Sequence, residues 1–321
     1  MKKVFMRAHL SPFEVIPYHE LHKRIGKNIG NLVFSGSMYR ILMCDEETEI
    51  VYSNIPPNDQ EEIERINNTF DCVVLPFADA IRKSFMKRMR EWTQMIRMLR
   101  IPCCIAGIGI RWDYSGKRQA DRELLKVPLN YPLSVSDPIY KNGKVKFFAN
   151  AQPWINWLKT RDLSFGTRIH GNIAATLAGT PAVVLPFDAR TRELCEYHGL
   201  AFVPREELNA NDRLQDIVER LDFHSPEKVH SRNFKHFVDF LNKNGIDHIF
   251  KDGRSSAEEE TAFDKRMKQI EWPESCECIT CIDEKEAEER KKYARENNWF
   301  KSPFWHPYMA CRGMYANLQR R

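Results

Sequence analysis

The sequence predicts a two-lobed α/β protein that ends in a helical tail. Strand-like and helix-like patterns alternate through the first third, weaken between Tyr114 and about Ala149, and return at Gln152. Strands that alternate with helical patterns specify a parallel sheet covered on both faces. The chain has 321 residues, 42% of them hydrophobic, enough for about two cores of ordinary size. The changes in pattern divide it into a first lobe over 1–120, a second over 121–254 and a tail over 255–321.

In the first lobe, apolar residues at helical spacing from Asn31 to Leu42 follow a glycine-containing loop, Gly26 to Gly30. Glu49 to Tyr52 is a short strand closed by Pro56-Pro57, and Asn58 is placed to cap a charged helix that runs to about Asn67. Asp71 to Pro76 is a buried strand, Ser84 to Arg100 an amphipathic helix, and Ile101 to Ala106 the next strand, opening into Gly107-Ile108-Gly109. Asp121 to Lys126 supplies at most two helical turns in the polar, proline-rich junction.

In the second lobe, Pro153 to Lys159 is helical, with Trp154, Ile155, Trp157 and Leu158 on the buried side. Asp162 to Phe165 is a strand, and a loop through Gly166 and Thr167 leads into a helix from Ile169 to Ala178. Gly179 followed by Pro181 ends that helix. Ala182 to Leu185 is a strand, Asp188 caps a helix over Ala189 to His198 that stops at Gly199, and Leu200 to Val203 is a further strand. Helices over Asn211 to Leu221 and Glu227 to Lys243 complete the lobe. The tail carries charged helical segments, Ser255 to Arg266 and Asp283 to Asn297, and an aromatic run from Trp299 to Tyr315 that must dock on something.

A net charge of +5 is small beside 49 basic and 44 acidic residues. It fits an ordinary mixed surface or a basic cleft for anionic substrates, and does not call for nucleic acid. No apolar run reaches the length of a signal peptide or a membrane span, so a cytoplasmic protein with at most peripheral membrane association is expected. Cys72, Cys103 and Cys104 lie in apolar runs and read as small buried hydrophobes. Cys276, Cys278 and Cys281 are either packed thiols or half of a zinc site completed by His306 or Cys311.

The chemistry concentrates in Ser164-Phe165-Gly166-Thr167-Arg168-Ile169-His170-Gly171. Ligands of parallel α/β sheets bind beyond the carboxyl ends of the strands, where a helix N-terminus offers free N–H groups to an anion. Arg168 adds a planar fork for carboxylate or phosphate, and His170 a group that exchanges protons near neutral pH. The competing structural roles are a carboxylate partner for Arg168 and helix capping by His170. Asp188, Arg190 and Glu193 stand at the next strand-to-helix turn, as ligands or as capping and surface groups.

The stretch from Asp162 through Arg168-Ile169-His170-Gly171-Asn172 and Ala178-Gly179-Thr180-Pro181 to Asp188-Ala189-Arg190 and Leu194 resembles the polysaccharide pyruvyl transferase family. Gly30-Asn31-Leu32-Val33-Phe34 and Ile101-Pro102 with Gly107-Ile108-Gly109 match it in the same order. The resemblance implies two Rossmann-like lobes facing a cleft, as in GT-B glycosyltransferases. It implies transfer of the enolpyruvyl group of phosphoenolpyruvate to two hydroxyls of a glycan, or of a lipid-linked or nucleotide-linked sugar. Its Arg-x-His motif, associated with donor binding and catalysis, falls on Arg168 and His170, with Ser164 and Gly171 beside them. It sets Asn28, Gly30 and Asn31 near the acceptor, and Arg111 is within reach from the first lobe. The scheme needs no metal or cofactor; His170, as imidazolium, is the expected general acid. Between Gly109 and Trp154 the chain is shorter than the family pattern and lacks its Gly-Cys-Pro-Ser-like stretch. A nucleotide-sugar glycosyltransferase and a non-catalytic glycan-binding relative are the alternative expectations. Oligomeric state is not legible.

Overall fold

The computed structural model describes residues 2–16, 24–25, 28–82, 85–110, 138, 142, 144–148, 150–209, 211–253 and 259–272. The chain divides into two compact units, Met1–Leu129 with Phe148–Glu274, and Asn130–Phe147 with Ser275–Arg321. The first unit is a mixed α/β structure and holds every element named below.

Among the described residues, β1 (Lys3–Met6), β2 (Glu49–Tyr52), β3 (Cys72–Ile81) and β4 (Cys103–Ile110) form one parallel sheet in the order β2-β1-β3-β4. Val4 sits in register with Ile50 on one side and Cys72 on the other, and Val73 with Cys103. No strand is expected at Lys3–Met6 from the sequence, yet β1 is central. Buried on both faces, it needs no alternation of polar and apolar residues, and four residues give periodicity little to show.

The connecting helices are α1 (Gly30–Leu42), α2 (Gln60–Thr69) and α3 (Met86–Met98). Val4 and Met6 pack with Met38, Tyr39 and Leu42 of α1. Phe5 points the other way, to Ile63 and Ile66 of α2 and to Trp92 and Met95 of α3. Thus α1 covers one face and α2 and α3 the other, which puts the topological switch point between β1 and β3. In open α/β sheets the crevice beyond that point is where ligands bind.

Several boundaries differ from expectation. Asp59, not Asn58, caps α2, its side chain accepting from the Glu62 N–H at 2.6 Å. Both β3 and β4 run past their expected ends at Pro76 and Ala106. The extension of β3 contains a bulge between Ala78 and Ile81, with Ala78 at φ +50°. For a residue with a Cβ that conformation costs roughly 1–2 kcal/mol.

The later part of the unit is built on α4 (Ala151–Leu158), β5 (Ser164–Gly166), α5 (Ile169–Leu177), β6 (Ala182–Val184), α6 (Ala189–His198), α7 (Leu214–Glu219) and α8 (Ser225–Lys243). β5 and β6 pair in parallel, and a single bridge from Val184 to Phe202 replaces the strand expected over 200–203. Ala182 packs with Leu158, Ala174 and Ala175, while Val183 turns to Val203 and Ile217. Of the four apolar residues expected on the buried side of α4, Leu158 is buried and Trp154, Ile155 and Trp157 are half-buried.

α9 (Ala262–Lys268) begins later than the expected Ser255, where Thr261 and Asp264 form a reciprocal capping box. Phe263 and Met267 join the core beside α1, and Arg40 of α1 makes two hydrogen bonds to Asp264, at 2.9 and 2.8 Å. The expected helices at Asp121–Lys126 and Asp283–Asn297, the aromatic run from Trp299 and Cys276, Cys278 and Cys281 lie outside the described residues. No helix among the described residues is long and apolar enough to cross a membrane.

Candidate functional site

β5 ends at Gly166, whose φ of +154° excludes other residues although a Cβ there would meet nothing within 4 Å. Backbone alone requires this glycine. Its carbonyl accepts from Leu185 N–H at 3.0 Å and from the Asn172 side-chain amide at 3.0 Å. The same Asn172 amide reaches the Arg168 carbonyl at 3.3 Å, and its oxygen accepts the Ser164 hydroxyl at 2.9 Å. One buried side chain, 3% exposed, therefore ties strand, turn and helix together. Ser164 gives its hydroxyl to this tie.

Arg168 is the N-cap residue of α5 and makes no capping bond with its side chain. It is exposed and, among the described residues, forms no ion pair. The carboxylate partner weighed from the sequence is not found among the described residues.

His170 is the second residue of α5 and is half-buried. Its ring lies against the first turn of α1. A Cβ added to Gly30 would stand 2.3 Å from both Cγ and Nδ1 of His170, and 2.8 Å from its Cβ. Helix α1 packs on both α4 and α5, so the start of α1 and the start of α5 meet. Asn28 accepts the Gly30 N–H at 3.0 Å, and Asn31 donates its amide to the Ile25 carbonyl at 2.8 Å. Both asparagines shape the loop at that meeting point. Gly171 donates its N–H to the Arg168 carbonyl at 3.0 Å, and a Cβ there would come no nearer than 3.6 Å to Trp154.

A second meeting joins β4 to α6. A Cβ on Gly109 would stand 2.8 Å from Cδ and 3.2 Å from Cγ of Arg190, and 3.2 Å from the Ala78 carbonyl. The Nε of Arg190 is buried without a hydrogen-bond partner among the described residues. Asp188 caps α6: its Oδ1 accepts Thr191 N–H at 2.7 Å and the Thr191 hydroxyl at 2.6 Å. Its Oδ2 is buried and likewise unpartnered. Glu193 is exposed, and Arg111 lies outside the described residues.

Arg7 and His9, just past the carboxyl end of β1, give no signal in the sequence beyond their place after an apolar run. Arg7, 6% exposed, donates Nη1 to the Pro76 carbonyl at 2.6 Å and lies over the rings of Phe77 and Phe85, 5.2 and 5.7 Å from their centroids. It braces β3 just before Ala78. Burial, and then Arg7, push the His9 imidazole down to about 4, so it is neutral at pH 7. Burial likewise pushes the thiols of Cys72, Cys103 and Cys104 up to about 11, leaving them unreactive at neutral pH.

Among the described residues no group of three or more His, Cys, Asp or Glu is placed to hold a metal ion. No family model fits the chain, and no curated protein or solved structure matches it.

Proposed function

We propose that this chain is a polysaccharide pyruvyl transferase. The two parallel sheets are read as the cores of two Rossmann-like, GT-B-like lobes. One observation supports the reading most: Arg168, exposed and unpaired among the described residues, precedes by two positions a histidine whose ring rests on Gly30. The later Arg-x-His segment and the early glycine segment, the two parts of the resemblance furthest apart in sequence, meet in space.

Phosphoenolpyruvate brings a carboxylate and a phosphate. Arg168 holds one through a bidentate fork, and Arg190 stands at the neighbouring turn for the other. His170 protonates the methylene carbon, leaving an oxocarbenium at C2. A sugar hydroxyl adds there and releases its proton. Phosphate departs, the second hydroxyl closes the ketal, and its proton restores His170. These steps need no metal or cofactor. The acceptor is a glycan or a lipid-linked or nucleotide-linked sugar, and the reading carries with it a cytoplasmic location.

The test is phosphate release from phosphoenolpyruvate across a panel of glycan precursors. Release with at least one acceptor is expected. Arg168→Ala should raise KM about tenfold or more, and His170→Ala should lower kcat by about 10²–10⁴. Normal turnover in the His170 variant would end the acid role. Thermal protection by nucleotide sugars, without any by phosphoenolpyruvate, would move the assignment to glycosyl transfer.

A further inference from the structure

We infer that Gly30 and Gly109 are positioning residues, bare backbone on which His170 and Arg190 rest. The inference builds on the reading of the site given above. Neither glycine is demanded by its own backbone, in contrast to Gly166, since neither has a φ in the left-handed region. At Gly109 glycine is also a poor choice locally, because it weakens a strand. What the two share is a side chain from the later part of the unit lying where a Cβ would go.

The two seats differ in stiffness. At Gly30 the blocking atoms include His170 Cβ, 2.8 Å away, which the α5 backbone fixes in place. The ring can escape an added methyl only if α5 shifts against α1. At Gly109 the blocking atoms are Cγ and Cδ of a flexible arginine. Arg190 can swing, but the Ala78 carbonyl at 3.2 Å closes the other side of the glycine, so the arginine must do the moving. Ala78 is the residue held at φ +50°, in the bulge just past the stretch that Arg7 braces. Helix α1 and strand β4 thereby set where the two side chains of the later helices stand, through glycines that contribute no side chain of their own.

Each seat serves a different part of the chemistry. Gly30→Ala displaces the proton donor and should act on kcat. Gly109→Ala displaces an anion-holding cation and should act on KM.

The experiment is a pair of double-mutant cycles read by thermal unfolding and by phosphate-release kinetics. His170→Gly is the partner for Gly30→Ala, because it removes all three blocking atoms, including Cβ. Gly30→Ala should lower Tm, and should lower kcat about 100-fold, as a displacement of about 1 Å does, with KM within about threefold of wild type. In the His170→Gly background it should leave Tm unchanged. Gly109→Ala should raise KM for phosphoenolpyruvate about tenfold, the loss of one charge-assisted hydrogen bond, and should have no effect on KM beside Arg190→Ala. A Gly30→Ala chain that folds only when His170→Gly accompanies it supports the same contact. The inference is overturned if Gly30→Ala lowers Tm equally in both backgrounds, or leaves kcat unchanged. If the wild-type protein releases no phosphate with any acceptor, the transferase reading fails, and the Tm cycles still decide whether the glycines seat these two side chains.

Discussion

Replacing Asn172 with alanine removes three hydrogen bonds at once, to Gly166, Arg168 and Ser164. Their loss is not equally severe. The Gly166 carbonyl keeps the Leu185 N–H at 3.0 Å and the Arg168 carbonyl keeps the Gly171 N–H at 3.0 Å, so only the Ser164 hydroxyl loses its partner outright. At about 0.5–1.5 kcal/mol for each neutral bond, the variant should lose roughly 2–4 kcal/mol of stability. Asn172→Asp keeps the shape but turns a carboxylate toward two carbonyl oxygens in a buried site, and should lose more. Urea unfolding followed by circular dichroism at pH 8, where the new aspartate is ionised, measures both. An alanine variant within about 0.5 kcal/mol of wild type, or an aspartate variant no worse than the alanine one, would refute the idea that this amide ties strand, turn and helix.

Gly199 closes α6 at φ +63°, and a Cβ there would stand 2.8 Å from the Ser225 carbonyl. Gly199→Ala should therefore cost about 1–3 kcal/mol in urea unfolding, whereas a cost near zero would remove the close approach from the account. At the tail, Asp264→Ala should destabilise more than Arg40→Ala, because Asp264 also accepts the Thr261 N–H and hydroxyl in the capping box. The arginine variant should lose about 1 kcal/mol, and the reverse order in unfolding midpoints would contradict this. The pH dependence follows from His9. Its folded-state pKa, about 4, lies below the ordinary 6.5. Between those values the unfolded chain binds the extra proton, so stability falls as pH drops from about 6.5 toward 4. Desolvation pushes the Asp264 carboxyl up, but hydrogen bonds from Arg40 and Thr261 together hold it below its usual value, so it adds loss in the same direction at the acid end. His9→Gln should flatten the slope above pH 4 in urea midpoints; an unchanged slope would place the acid sensitivity elsewhere.

The parts of the fold legible in the sequence are those written by local rules. Asp188 and Gly199 bracket α6 at the expected residues, because a capping carboxylate and a left-handed glycine act within one turn. Glu49–Tyr52 is likewise set by its own β-branched and aromatic run and the prolines after it. The central β1 was not legible, since its four residues become a strand only through neighbours at Glu49–Tyr52 and Cys72–Val74. The reverse failure occurs at Leu200–Val203, apolar enough for a strand but given only one bridge.

The candidate site divides in the same way. Arg168 and His170 stand out because the turn that presents them is contiguous, and Asp188 because it caps. In the sequence Gly30 reads as a loop glycine; that its hydrogen atoms make room for an imidazole far along the chain is a tertiary fact without local trace. The seat at Gly109 and the strained Ala78 beside it depend on packing between β4 and α6, and the brace from Arg7 on a buried side chain crossing to a neighbouring strand.

Calorimetric titration of the wild-type chain and its Arg168→Ala and His170→Ala variants with phosphoenolpyruvate probes the proposed donor site most directly. Saturable binding by the wild type and by the His170 variant is expected, together with at least tenfold weaker binding once the Arg168 guanidinium is gone. A wild-type chain that fails to bind this three-carbon anion, or an Arg168 variant that binds it equally well, would contradict the account.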